Sequence, residues 1–210
     1  MTQTKPDPAP TRTDRRRERT RARLTEATRA LITEKGVSGL RINEITERAD
    51  VALGSFYNHF ESKEDIVDAV VTESLRELAE ALATGAVDDP AELVSVAIRR
   101  FVGLAYDDPA FARLVVHLNH ADALFATAVQ PAARRAVDLG VDSGRFEVTD
   151  IEVAVTSILG GSLALMRSIV DGRLGKGAEV AFAEISLRAL GVPTADATEI
   201  VRRPIVTETS

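Results

Sequence analysis

Apolar residues recur at intervals of three and four along most of this chain, and no segment alternates convincingly with a period of two. That pattern predicts an all-α protein of about nine helices. Leu24, Ala27, Leu31 and Ile32 form one buried stripe, ended by Lys35 and Gly36, a cationic last turn followed by a glycine stop. Ile42 and Ile45 mark a second, short amphipathic helix ending at Ala49-Asp50. Leu53, Phe56 and Phe60 mark a third. Ser62 followed by Glu64 and Asp65 reads as an N-cap with carboxylates in the first turn. It opens a long helix through Ile66, Val70, Leu75, Leu78 and Leu82 to about Ala83. Asp89-Pro90 and Asp108-Pro109 repeat one start signal, a capping Asp with Pro at the first helical position. The next helix covers about 122–139, with Pro131 kinking or dividing it, and a turn follows over 140–146. Thr149-Asp150-Ile151-Glu152 reads as a capping box for a helix reaching about Asp171. A glycine-rich link over 172–177 leads to a last helix over 178–190, and residues 191–210 read as a loose tail.

Composition divides this helical chain. Residues 1–13 carry Pro6, Pro8 and Pro10 among polar neighbours and read as a disordered arm. From Arg12 to Arg23 there are seven arginines in twelve residues. This run is either a solvated helix start or a basic arm that neutralises phosphates or enters a minor groove. Residues 1–63 hold 13 Lys and Arg against 9 Asp and Glu, whereas the remainder holds 13 against 23. A basic N-terminal third on an acidic body implies an oriented approach to a polyanion. There is no cysteine, which excludes disulfides and zinc–thiolate sites. Residues 1–10 lack an apolar signal core and no apolar run approaches 18 residues, so a cytoplasmic protein without a membrane partner is expected.

Two short helices joined by a tight turn read as a helix-turn-helix, whose second helix enters the major groove. Its second helix runs into Phe56-Tyr57-Asn58-His59-Phe60-Glu61-Ser62-Lys63. With that motif, the helix before it and its position near the N-terminus, residues 17–77 resemble the DNA-binding domain of the TetR/AcrR-type repressors. Family members commonly start the first helix of the motif with Thr and close it with Gly, where this chain has Arg41 and Asp50. Ala52 stands where a capping Ser is usual. Arg41 is a poor N-cap, whereas Asp50 can adopt the left-handed conformation a tight turn needs. The resemblance gives a three-helix DNA-binding domain over 14–61 and a larger helical ligand-binding and dimerisation domain over 62–190. The residues expected at DNA are Arg41, Asn43, Leu53, Gly54, Ser55, Tyr57, His59 and Lys63. Lys63, in the first turn of a helix, suits a phosphate; Tyr57 and His59 offer polar tips for phosphate oxygens, and Gly54 permits close backbone approach.

The helix over 151–171 has two unlike sides. Ile151, Val155, Ile158, Leu165 and Ile169 are bulky, whereas Ala154, Ser157, Gly161, Ala164 and Ser168 are small. The small stripe serves either packing within one chain or a subunit contact. The resemblance favours a homodimer, two copies presenting recognition helices to successive major grooves of a palindromic operator. It also implies a small-molecule pocket, with Phe101, Leu104, His117, Phe125 and Met166 as candidates that could equally be plain core. Without Trp and with few aromatics, an apolar effector such as an acyl compound is expected. No catalytic set and no cofactor motif is evident, and His117-Leu118-Asn119-His120 is too sparse for a metal site. The reading is therefore a ligand-released transcriptional repressor. Its rival is an architectural DNA- or protein-binding module of the same fold; a closed apolar cavity of several hundred Å³ supports the first and a filled core the second.

Overall fold

The computed structural model describes residues 11–83, 88–117 and 121–205, and among these every regular element is an α-helix. In chain order these are α1 (Arg12–Lys35), α2 (Ile42–Arg48), α3 (Leu53–Tyr57), α4 (Lys63–Ala83) and α5 (Pro90–Asp107). They continue as α6 (Pro109–His117), α7 (Ala121–Asp142), α8 (Ile151–Val170), α9 (Ala178–Ala189) and α10 (Thr194–Arg202). The prolines at 6, 8 and 10, His120 and residues 206–210 lie outside the described residues.

Start signals explain most boundaries. Asp89 accepts from the Ala91 N–H at 2.9 Å, Asp108 from Phe111 at 3.0 Å, and Ser62 from Asp65 at 3.1 Å. Other boundaries correct the sequence reading. The arginine run is no arm, because Thr11 and Asp14 form a capping box that starts α1 at Arg12. At α8 the cap is Asp150, which accepts from Val153, rather than Thr149. Pro131 sits inside a continuous α7.

The chain forms two compact units, and the division falls between Val70 and Val71, inside α4 rather than at its start. The first turns of α4 belong to the N-terminal unit because Ile66, Val67 and Val70 are buried there. With them lie Leu24, Ile45, Phe56 and Phe60, all at most 1% exposed; full burial of such a side chain contributes about 1.5–3 kcal/mol. Arg48 pairs with Glu34 and Lys35 with Glu44, tying α2 to α1 at its polar edge.

In the second unit α5 is the hub, packing against α6, α7, α8, α9 and α10. The residues read as a loose tail instead include α10, which buries Ala197, Ile200 and Val201 against α5 and α9. Arg203 binds Glu92 at 2.5 Å and Arg145 binds both Asp89 and Asp196, so charged pairs hold α10 and the α7–α8 connection to the start of α5. Against the sequence expectation, α8 is long and apolar enough by length and composition to cross a membrane; here it packs against α5, α6, α7 and α9. Two close approaches need glycine. A Cβ at Gly161 would lie 2.4 Å from the Phe182 ring of α9, and one at Gly140 would lie 1.9 Å from Phe146.

Candidate nucleic-acid interface and apolar cavity

The turn between α2 and α3 is where the N-terminal unit departs from ordinary backbone. Asp50 has φ 50°, the single positive φ outside glycine among the described residues. Its conformation is held from α1: Arg23 donates to the Asp50 carbonyl at 2.9 Å and to its carboxylate at 3.0 Å. Neither Arg41 nor Ala52 makes a side-chain cap, as their chemistry dictates.

With α3 only five residues long, its faces are sharply divided. Phe56 is fully buried, and Tyr57, 56% exposed, stands edge-on to it with ring centroids 5.4 Å apart. Leu53, which shares helical spacing with the two phenylalanines, is not core: it is 46% exposed and joins Tyr57 on the outer face. Gly54 is exposed, with no atom within 4 Å of where a Cβ would stand. Arg41 and Asn43 are exposed at the start of α2, and Ser55, His59 and Lys63 are half-buried. All eight residues expected at DNA therefore retain surface, and all lie within the N-terminal unit.

Sequence reading missed how α1 extends this surface. Arg17 reaches the Asn58 carbonyl and Arg21 the His59 carbonyl, each at 3.4 Å, and the Arg21 guanidinium lies 4.4 Å above the Phe60 ring. Arg17, Arg21, Asp14, Glu18 and His59 line one surface hollow. Burial, then the charges of Arg17 and Arg21, hold the His59 pKa below its ordinary 6.5. The neutral imidazole thus sits beside two cations, where an approaching phosphate would reverse the balance. The spacing of Arg17 and Arg21, one turn apart, was visible in the sequence; their partners 38 and 41 residues away were not.

The second unit holds a partly open apolar cavity of about 80 Å³. Helix α5 supplies Leu93, Val94, Ala97, Ile98 and Phe101, α8 supplies Val155, Ile158, Leu159 and Ser162, and α4 reaches it with Ala79. Helix α7 supplies Phe125 and Val129 and then the small side chains Ala132, Ala133 and Ala136. Phe101 and Phe125 meet edge to face, centroids 4.5 Å apart. Of the five pocket candidates only these two line the cavity. Met166, one turn past Ser162, is fully buried beyond the cavity's end, and Leu104 lies one turn past Phe101. His117 ends α6, which contributes no wall; its side chain is exposed, with Nδ1 2.9 Å from the Arg113 carbonyl. The missed wall residues include five alanines, which in sequence read simply as good helix formers.

The small stripe of α8 is split by burial. Ser157 and Ala164 are exposed, whereas Ala154, Gly161 and Ser168 are half-buried, Gly161 against Phe182 of the same chain. The outward face of α8 carries Val153, 63% exposed, with Ser157, Gly160 and Ala164, and α9 adds Ile185, 61% exposed. Among the described residues no three His, Asp or Glu side chains gather as a metal-ligand set.

Comparison with known proteins supplies a context. Residues 24–70 match the family described as bacterial regulatory proteins, tetR family, and residues 89–203 match the tetracyclin repressor-like C-terminal domain. The HTH-type transcriptional repressor DhaR of Mycobacterium sp. (strain GP1) is 43% identical over 58 residues, which are 28% of this chain and 29% of DhaR. The match thus spans under a third of that relative's length. Over most of its length the chain is similar to the crystal structure of RolR in complex with resorcinol, with a TM-score of 0.80 and 32% identity. That likeness covers 92% of this chain and 98% of RolR. A Bacillus subtilis FadR solved with stearoyl-CoA shares the fold at a TM-score of 0.58 and 19% identity, over 80% of this chain and 96% of that one.

Proposed function

Because this chain belongs to the TetR family of bacterial regulatory proteins, we propose that it is a cytoplasmic transcriptional repressor, not an enzyme, that binds a palindromic operator as a homodimer and is released by a small apolar effector. The observation that carries the reading is one helix with two duties. Helix α4 begins with Lys63 beside the α3 motif and, four turns later, presents Ala79 to the cavity. A ligand filling the cavity against Ala79 therefore acts on the element that carries a DNA-contacting residue.

The roles divide by chemistry. Lys63, His59, Tyr57, Arg17 and Arg21 serve as phosphate contacts that position the protein, while Ser55 and Asn43 reach base edges and Gly54 lets the backbone come close. Dimerisation uses the outward face of α8 and α9 around Val153, Ser157, Gly160, Ala164 and Ile185, since an apolar surface of this kind is unfavourable in water. At about 80 Å³ the cavity falls short of the several hundred expected of an effector site; the effector reading is supported instead by the helix shared between motif and cavity and by the resorcinol bound in the RolR structure.

The test is selection of bound duplexes from a random library followed by footprinting. A palindrome with half-sites about 10 bp apart, or a multiple of one helical turn, is the expected outcome. An asymmetric site, or protection without sequence preference, would instead favour the architectural reading.

A further inference from the structure

Taking the effector reading as its starting point, the lining of the cavity narrows the ligand. We propose that it is an uncharged, single-ring aromatic compound bearing at most one hydroxyl group, rather than an acyl chain or an organic acid.

Charge is excluded first. Among the described residues no ionisable side chain lines the cavity, and a carboxylate or ammonium held there would lose hydration without a partner. The polar capacity of the wall is also countable. Ser162 is the one polar residue among its described lining, and its hydroxyl proton is already committed to the Ile158 carbonyl at 2.8 Å. The Ser162 oxygen can still accept, but it is a single point on the wall, and two hydroxyls set apart on one ring do not both reach it. One ligand O–H is therefore satisfied and a second is left buried and unpaired, a penalty of roughly tenfold or more in affinity.

Shape points the same way. The edge-to-face pair of Phe101 and Phe125 provides ring surfaces on which a third ring completes an aromatic cluster. Ala132, Ala133 and Ala136 leave the space opposite. An apolar cavity of about 150 Å³ stays dry and takes up benzene, and about 80 Å³ is empty here before any side chain turns. A single ring needs only modest adjustment, whereas a long chain needs several times that volume. Resorcinol, the ligand in the RolR crystal structure, has two hydroxyls and so exceeds what this wall satisfies.

The experiment is calorimetry on the full-length protein with toluene, p-cresol, resorcinol, benzoate and octanoate, each with and without operator DNA. Toluene and p-cresol should bind, p-cresol the tighter, with resorcinol at least about tenfold weaker than p-cresol and no binding of the two acids. Ser162→Ala should remove the advantage of p-cresol over toluene and leave toluene unchanged. Ala133→Leu, which fills the space, should abolish both. Tighter binding of resorcinol, benzoate or octanoate than of p-cresol overturns the ligand class and leaves the effector reading standing. The opposite failure looks different: if toluene and p-cresol bind, Ser162→Ala acts as stated, and neither ligand alters operator affinity, the ligand class stands and the effector reading falls. An unchanged p-cresol preference in Ser162→Ala overturns the role given to that hydroxyl.

Discussion

At the scale of single residues, the N-terminal unit combines strain with charge. Asp50 sits in the left-handed region at a cost of about 1–2 kcal/mol for a residue other than glycine, and Arg23 offsets it with two hydrogen bonds. Arg23→Ala should lower stability by about 1 kcal/mol, read from denaturant midpoints, and Asp50→Gly should recover part of the loss in that background. Failure of Asp50→Gly to restore any stability would show that Arg23 acts elsewhere. Lys63→Ala should weaken DNA binding about equally across sequences and reduce the salt slope by about one unit; altered sequence preference would contradict a phosphate role. His59 adds pH dependence. Its folded pKa lies below the ordinary 6.5, so the fold favours the neutral ring, and its contribution to stability is intact above that value and lost as pH falls through the folded pKa. A phosphate at this site favours the charged ring, so the complex should take up a proton and tighten as pH falls from about 7 toward 5.5. His59→Gln should flatten that slope, and an unchanged slope would place the titrating group elsewhere. The other charges facing His59 are Arg17, Arg21, Asp14 and Glu18.

At the scale of elements, what was legible follows the range of the forces involved. Helix starts set by a side chain reaching two or three residues onward, at Ser62, Asp89 and Asp108, could be read directly. The buried stripes could be read too, because period alone places Phe56 and Phe60 inward. Leu53 shares that period yet is exposed, since a helix as short as α3 has no room for a second buried turn. Partners distant in sequence escaped. Nothing local to Arg17 announces Asn58, nothing in residues 191–205 announces that Ile200 and Val201 will find a core, and Gly161 reads as part of a contact stripe until Phe182 is seen filling it. That last pairing changes which residues test dimerisation. Gly161→Leu would overpack α8 against α9 within one chain, whereas Ala164→Arg and Ile185→Glu alter only exposed positions. Both should turn a dimer into a monomer in sedimentation while moving the unfolding temperature of the monomer little; a dimer that persists in both would place the contact on another face. Arg145 offers a companion test in the second unit. Burial tends to raise the Asp89 carboxyl, but hydrogen bonds from Arg145 and the Ala91 N–H outweigh it and hold it below the usual range. Arg145→Ala should therefore cost about 1 kcal/mol at neutral pH and progressively less as pH falls through the lowered Asp89 pKa.

At the scale of the whole molecule, an arginine-rich, DNA-facing unit and an acidic, cavity-bearing unit share helix α4. Occupancy of the cavity and engagement of DNA therefore bias one equilibrium. Thermodynamic linkage then makes the coupling reciprocal: whatever factor the ligand takes from operator affinity, operator must take from ligand affinity, about 1–3 kcal/mol in either direction. Affinity alone carries no such signature, because a ligand equally at home in both states shifts nothing. The most direct measurement closes this cycle with p-cresol and a footprinted operator, taking operator affinity at saturating and zero ligand and ligand affinity at saturating and zero operator. Equal, substantial factors, each about 5- to 150-fold, are the predicted result. Ligand bound in the cavity with both factors equal to one would contradict it.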